Sequence, residues 1–578
     1  MAKTIYPISA KFPHMLHGGD YNPDQWMRTP EIWDEDMRLM KLAGCNAMST
    51  GIFAWTALEP EEGTFTFDWL DTIMEKLADN GAYAVLATPS GSKPPWMSRK
   101  YPEIRRVNES GLREPHQHRH NHCRTSPVYR EKCHLINTKL AERYQNHPAL
   151  LAWHVSNEYN GGDCHCELCY AAFREWLKRC YDNSLDKLNH AWWTGFWASR
   201  YADWDEIEPV DHAIHGLMLD WQRFLTDQTI DFYKNEIAPL REFTPDIPVT
   251  TNFMGLSPTL DYGQFAREVD VVADDRYPAW HHNENGDEVP VALETGFIHD
   301  MCRTMNNGKP WMLMESVPSF PSRPFCRKRK RPGMHLLSSL YAVAHGSDTV
   351  QYFQWRKGRG GMEKFHGAVV DHVGHEKTRV FQDVAKVGEA LKKLDPVVGT
   401  TSRARVAILN DTQNRWAMNA APSLGKENIK YEQTLFAHYR PFWERGIAVD
   451  VIDEERDLSP YSLLILPMAY MMRGDFADRL KAFVAAGGTA VMTYWSGIVN
   501  DTDLCFLGGW PGAGLREIFG IWDEEMDAVP AFDGNCIESV ADNALGLAGR
   551  YETHDLHTLI HAEDAEVLAV YGKDFYAG

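Results

Sequence analysis

From about residue 14 to about residue 390, short apolar runs alternate with longer stretches in which apolar side chains recur at three- and four-residue steps. The runs at 82–87, 150–155, 248–252, 271–274, 311–314 and 349–354 predict strands, and the stretches at 31–43, 69–80, 129–147, 173–180 and 217–242 predict helices. That rhythm belongs to βα units around a parallel sheet, and its economical closure is a (β/α)8 TIM barrel. A first domain of residues 1–395 exceeds the roughly 250 residues typical of that fold, which predicts inserted loops. Gly399-Thr400-Thr401-Ser402 reads as a boundary, because the rhythm then restarts. Strands at 404–410, 448–452, 463–467 and 489–494 alternate with helices at 431–446 and 475–486, so residues 396–578 read as a second, doubly wound α/β domain. The chain stops directly after the strand-like 566–571, and on this pattern the second domain reads as truncated.

Composition narrows the class of ligand. Lys and Arg number 59 against 80 Asp and Glu, a net charge of −21 over 578 residues. Such a surface disfavours nucleic acid and anionic membranes as partners and suits a neutral ligand. The amino terminus has no apolar core of signal-peptide length, and the longest aliphatic stretch, 463–472, is interrupted by Pro467, so the expected location is cytoplasmic. Eleven cysteines are too few for a disulfide scaffold and point to metal ligation or catalysis where they cluster.

Trp153-His154-Val155-Ser156-Asn157-Glu158 places an Asn-Glu pair at the carboxyl end of an apolar run, and Met312-Leu313-Met314-Glu315 repeats the arrangement. Barrels of this type carry their chemistry at that end of the strands. Two carboxyls on one face are what glycosidic cleavage requires: one donates a proton to the leaving oxygen while the other attacks the anomeric carbon. Asn157 can hydrogen-bond the sugar hydroxyl next to the reacting carbon.

Cys164-x-Cys166-x-x-Cys169 with Cys123 upstream supplies four thiolates at a spacing that can close a tetrahedral zinc site, or remain four free thiols. His165 inside the cluster reads as a bystander facing water.

Several motifs resemble the glycoside hydrolase family 42 β-galactosidases. They are His17-Gly18-Gly19-Asp20-Tyr21-Asn22-Pro23-Asp24-Gln25-Trp26, Phe53-Ala54-Trp55 through Leu58-Glu59-Pro60, Asn157-Glu158-Tyr159, Met314-Glu315-Ser316, and Gln354-Trp355-Arg356 through Phe365-His366-Gly367. The resemblance implies a retaining barrel enzyme with Glu158 as acid/base and Glu315 as nucleophile. It implies Arg119, Asn157, Tyr277, Glu363 and His366 as sugar contacts, although Arg119 and Tyr277 taken alone could equally be structural. It also implies structural Zn2+ on Cys123, Cys164, Cys166 and Cys169, a trimerisation-like second domain, a homotrimer whose active sites border a neighbouring subunit, and a third β domain that this chain lacks. In one departure, Arg323 stands where the family usually has a tryptophan, eight residues after the nucleophile, leaving Phe320 or Phe325 to supply a ring. The basic run from Arg327 to Arg331 reads as a solvated loop.

The function expected from these residues is hydrolysis of terminal β-D-galactosides of short oligosaccharides by double displacement. An α-L-arabinopyranosidase or other β-glycosidase on the same barrel remains open on sequence, as does a non-catalytic sugar-binding or assembly protein.

Overall fold

Eight short parallel strands carry the first unit. In the computed structural model, which describes residues 6–117, 119–160, 162–280, 287–322, 328–421, 429–529 and 534–573, they are β1 (Leu16–Tyr21), β2 (Ala47–Thr50), β3 (Tyr83–Ala87), β4 (Leu150–His154), β5 (Val249–Phe253), β6 (Val271–Asp275), β7 (Met312–Glu315) and β8 (Thr349–Tyr352). Their order is β7-β6-β5-β4-β3-β2-β1-β8, each ladder parallel. Between β7 and β8 the ring is drawn together by a parallel bridge from Trp311 to Ser347 and by the Thr349 hydroxyl, which donates to the Leu313 carbonyl at 2.9 Å. Leu16, Ala47, Val85, Leu151, Val271, Ala273 and Met312 form one buried cluster shared among the strands, so the barrel is a packed core and not a pore.

Local chemistry sets the helix ends that matter for the site. Helix Pro127–Tyr144 begins with Pro127 at its first position, where the missing N–H costs nothing, and with Ser126 accepting from the Tyr129 N–H. Just before it, the Ser126 N–H donates to the Cys123 carbonyl at 3.2 Å, tying the helix start to the segment that carries Cys123. Helix Glu31–Ala43 ends on Gly44 at φ 70°, a left-handed cap that glycine adopts without strain.

By their contacts the described residues divide into two compact units, Met1–Glu175 with Gln222–Arg403, and Trp176–Trp221 with Ala404–Gly578. The segment Trp176–Trp221, placed in the first domain by the sequence pattern, thus groups with the second unit. One anchor is His215, whose Nδ1 lies 3.0 Å from Asp503 Oδ2.

The second unit contains a parallel sheet of β9 (Val406–Leu409), β10 (Val449–Ile452), β11 (Leu463–Leu466) and β12 (Thr489–Met492) in the order β10-β9-β11-β12, the reversal expected of a doubly wound sheet. Leu409, Ile452, Leu464, Leu466, Phe476 and Leu480 are buried together around it. Five further strands, unforeseen apart from the last, follow in antiparallel pairings. They are β13 (Ile521–Val529), β14 (Asn535–Ser539), β15 (Arg550–Thr553), β16 (Asp555–Ala562) and β17 (Ala569–Tyr571), forming a β13-β16 ribbon and a β15-β14-β17 sheet. Among the described residues no helix is long and apolar enough to cross a membrane.

Candidate active site

The carboxyl ends of the barrel strands open into a cavity of about 560 Å³. All seven sequence-predicted catalytic and sugar-contact residues line it: Arg119, Asn157, Glu158, Tyr277, Glu315, Glu363 and His366. Glu315 ends β7, and Glu158 follows β4 by four residues. One carboxylate oxygen from each of Glu158, Asp275 and Glu315 lies within 4.8 Å of the others. A retaining pair needs its carboxyls about 5–5.5 Å apart, whereas an inverting pair leaves room for water at about 6.5–9.5 Å. The short spacing is the retaining one.

Backbone conformation is unusual beside Asn157. Ser156 and Glu158 take φ of 58° and 44°, left-handed values that cost non-glycine residues energy and persist only where the surroundings impose them. Here the Ser156 N–H donates to Thr88 Oγ1 at 2.8 Å, and the Glu158 N–H donates to Asn252 Oδ1 at 2.7 Å. Arg119 Nη1 lies 2.9 Å from Glu158 Oε2, and its guanidinium stands 5.8 Å from the ring centroid of Phe53. The Tyr277 hydroxyl donates to Glu315 Oε2. His366 Nδ1 is 3.0 Å from Glu363 Oε2, and the buried His366 Nε2 has no protein partner among the described residues.

Carboxyls crowded together out of water resist ionising. Burial and the charge of Glu158 push Glu315 up to about 8. Burial and Glu315 likewise raise Asp20, which hydrogen-bonds Glu315, and burial with the charges of Glu315 and Glu158 raises Asp275. Tyr277 and Arg119 act the other way and favour the Glu315 anion.

The four predicted cysteines converge as well. Cys123 Sγ lies 3.7 Å from Cys166 and 3.5 Å from Cys169, those two are 3.7 Å apart, and Cys164 falls within 4.8 Å of all three. Sulfurs bound tetrahedrally at about 2.3 Å are separated by about 3.8 Å, and a disulfide by about 2.05 Å, so the set fits one zinc ion and not a crosslink. All four are buried.

Three sequence expectations change. His165 does not face water: it is buried, with Nδ1 3.2 Å from the Tyr170 hydroxyl, because the chain folds back over the cysteine turn. Lys330 departs from the solvated-loop reading, since it is buried with Nζ donating to the Val317 carbonyl at 2.6 Å, and burial lowers it to about 7. Phe320 is not among the cavity-lining residues, and its ring carries the Arg329 guanidinium 4.7 Å from the centroid. Arg323 and Phe325 lie outside the described residues.

A family model for the glycoside hydrolase family 42 β-galactosidases matches residues 20–394, and one for the β-galactosidase trimerisation domain matches 404–578. The chain belongs to glycoside hydrolase family 42. Among the relatives of this family 42 hydrolase, β-galactosidase BglY of Alicyclobacillus acidocaldarius is 54% identical over 584 residues, spanning 100% of this chain and 84% of its own length. β-Galactosidase GanA of Bacillus subtilis is 54% identical over 97% of this chain and 84% of its own. The solved β-galactosidase from Rahnella sp. R3 superposes with a TM-score of 0.97 at 51% identity, covering 100% of this chain and 85% of that one.

Sequence reasoning missed Asn252, Asp20 and Asp275 as parts of this family 42 site. Asn252 ends Val249-Thr250-Thr251-Asn252, a run that reads as any strand with a polar terminus, and its importance lies in partners that come from β4, β6 and β7. The one available signal was position, a polar residue at the carboxyl end of a barrel strand.

Proposed function

We propose that this family 42 hydrolase is a retaining β-D-galactosidase that removes terminal β-galactosyl units from short oligosaccharides. The observation that carries the reading is the approach of Glu158 and Glu315 within 4.8 Å at the mouth of the barrel. In the first displacement Glu158 gives its proton to the leaving oxygen while a Glu315 carboxylate oxygen bonds to the anomeric carbon, and the aglycone departs. In the second, Glu158 takes a proton from water while the water oxygen bonds to the anomeric carbon, the bond to Glu315 breaks to release its carboxylate, and the original anomeric configuration is restored. The Tyr277 hydroxyl and the Arg119 guanidinium both stabilise the Glu315 anion, the form that attacks. Arg119, Asn157, Glu363 and His366 supply the mixture of donors and acceptors a neutral polyhydroxylated glycone needs.

Cys123, Cys164, Cys166 and Cys169 would hold a structural zinc ion with no open position, which would pin the loop after Glu158 to the segment carrying Arg119. The match of 404–578 to a trimerisation domain supports a homotrimer. Free cysteines among the described residues are in keeping with a reducing, cytoplasmic setting.

Hydrolysis of a nitrophenyl glycoside panel, with the product anomer followed by NMR, tests the function. The β-D-galactoside should be the best substrate and β-galactose the first product. Preference for the α-L-arabinopyranoside would change the glycone, α-galactose as first product would exclude double displacement, and absence of turnover would leave a binding protein.

A further inference from the structure

Asn252, at the carboxyl end of β5 and fully buried, touches several members of the reacting apparatus. Its amide orientation is dictated by chemistry. The backbone N–H of Glu158 can only donate, and it lies 2.7 Å from one end of the amide, so that end is Oδ1. His154 Nε2 meets the same oxygen at 3.0 Å. Burial lowers the His154 ring to about 4, so it is neutral, with its proton on Nε2 and Nδ1 accepting from the Ser49 hydroxyl at 3.1 Å. The opposite end therefore carries the two amide hydrogens. It faces three acceptors: Asn157 Oδ1 at 3.0 Å, Asp275 Oδ2 at 2.5 Å and Glu315 Oε1 at 3.4 Å.

We propose that Asn252 is a positioning residue that sets the spacing of Glu158 and Glu315 and the facing of the Asn157 amide. The inference rests on the roles given above to those three residues and goes beyond them. Because Asn157 gives its oxygen to Asn252, the end left for a ligand is its NH2 group. An NH2 donor suits the lone pair of the sugar 2-hydroxyl oxygen, which fixes that hydroxyl and leaves its own proton free to donate within the site as positive charge develops on the ring. The same amide holds the left-handed backbone of Glu158 through Oδ1 and reaches the nucleophile through Nδ2. One side chain thereby links strands β4, β5, β6 and β7 across the site.

Two variants separate positioning from mere packing. Asn252→Asp keeps the shape and both Oδ1 acceptor contacts but removes the donors that Nδ2 turns toward Asn157, Asp275 and Glu315; Asn252→Ala removes all of them. Each is assayed on nitrophenyl β-D-galactoside and its 2-deoxy analogue, with a melting curve to establish folding. The unaltered chain should favour the 2-hydroxyl substrate strongly in kcat/KM, and both variants should lose about tenfold or more of that preference as the Asn157 amide loses its fixed facing. In Asn252→Asp the acid limb of the pH profile should also move upward, because a carboxyl now stands beside Glu315. Asn252→Asp decides the matter alone if Asn252→Ala does not fold. A folded variant that keeps the original 2-hydroxyl preference and pH profile would overturn the inference. An unaltered chain that hydrolyses no galactoside, or treats the two substrates alike, would instead contradict the proposed function and take this inference with it.

Discussion

The hydroxyl of Tyr277 donates to Oε2 of Glu315, and Asn252 Nδ2 stands 3.4 Å from the other oxygen of the same carboxylate. A carboxylate braced at both oxygens keeps one face toward the cavity, as in-line attack on an anomeric carbon requires.

Tyr277→Phe removes one brace without removing volume. The hydrogen bond from Tyr277 lowers the Glu315 titration, so its loss should raise it further and shift the acid limb of kcat/KM to higher pH. The rate should fall by about 10²–10³, the size found when one preorganised donor is removed from a reacting oxygen. A pH–rate profile of the purified variant measures both effects.

Glu315 also makes a stability prediction. Its folded value is about 8 against an ordinary 4.5. Between those values the folded chain holds a proton that the unfolded chain has released, so stability falls as pH rises, by at most about 1.4 kcal/mol per pH unit, and levels off above pH 8. Glu315→Gln removes that penalty. Its melting temperature should exceed that of the unaltered chain at pH 8, with the gain shrinking to little near pH 4.5. Melting curves at three pH values suffice, and a variant less stable at pH 8 would count against the buried, charge-crowded site described here.

The fold was legible where burial writes itself into hydropathy and not where backbone approach does the work. Strands β3 to β8 stood out as apolar runs. Leu16-His17-Gly18-Gly19-Asp20-Tyr21 and Ala47-Met48-Ser49-Thr50 did not, since the first is glycine-rich and the second short and polar. The glycines answer to geometry: a Cβ on Gly18 would stand 1.7 Å from the Ala47 carbonyl oxygen, and one on Gly19 would stand 2.3 Å from that of Tyr352. Motif reading found the seven cavity residues and the four cysteines because their types announce their chemistry. Asn252 has no such signature, its role residing wholly in partners distant along the chain. The β13 and β16 strands escaped because neither carries an apolar run: acidic residues break up Ile521–Val529, and histidine and threonine interrupt the apolar positions of Asp555–Ala562.

Zinc at the cysteine cluster predicts one equivalent of metal per chain by elemental analysis. With no open coordination position, chelation should lower the melting temperature before it lowers the rate at ambient temperature. Cys123→Ser should abolish retention of the metal. Metal-free protein with four freely titratable thiols at these positions would refute the site.

For assembly, light scattering at micromolar concentration should give a mass about three times 66.1 kDa. Obligate interfaces of this kind bury more than about 2,000 Å² in total and do not dissociate at such dilution. A mass near 66.1 kDa would show that this chain is a monomer.

The central claim, that Glu315 carries the glycosyl group, is tested most directly by trapping. A 2-deoxy-2-fluoro-β-galactosyl fluoride slows the second displacement more than the first, so the covalent intermediate should accumulate and add one fluorosugar mass to the intact protein. Peptide mapping should place that mass on Glu315. No adduct in a preparation that turns over galactosides, or an adduct on Glu158 or any other residue, would contradict the assignment.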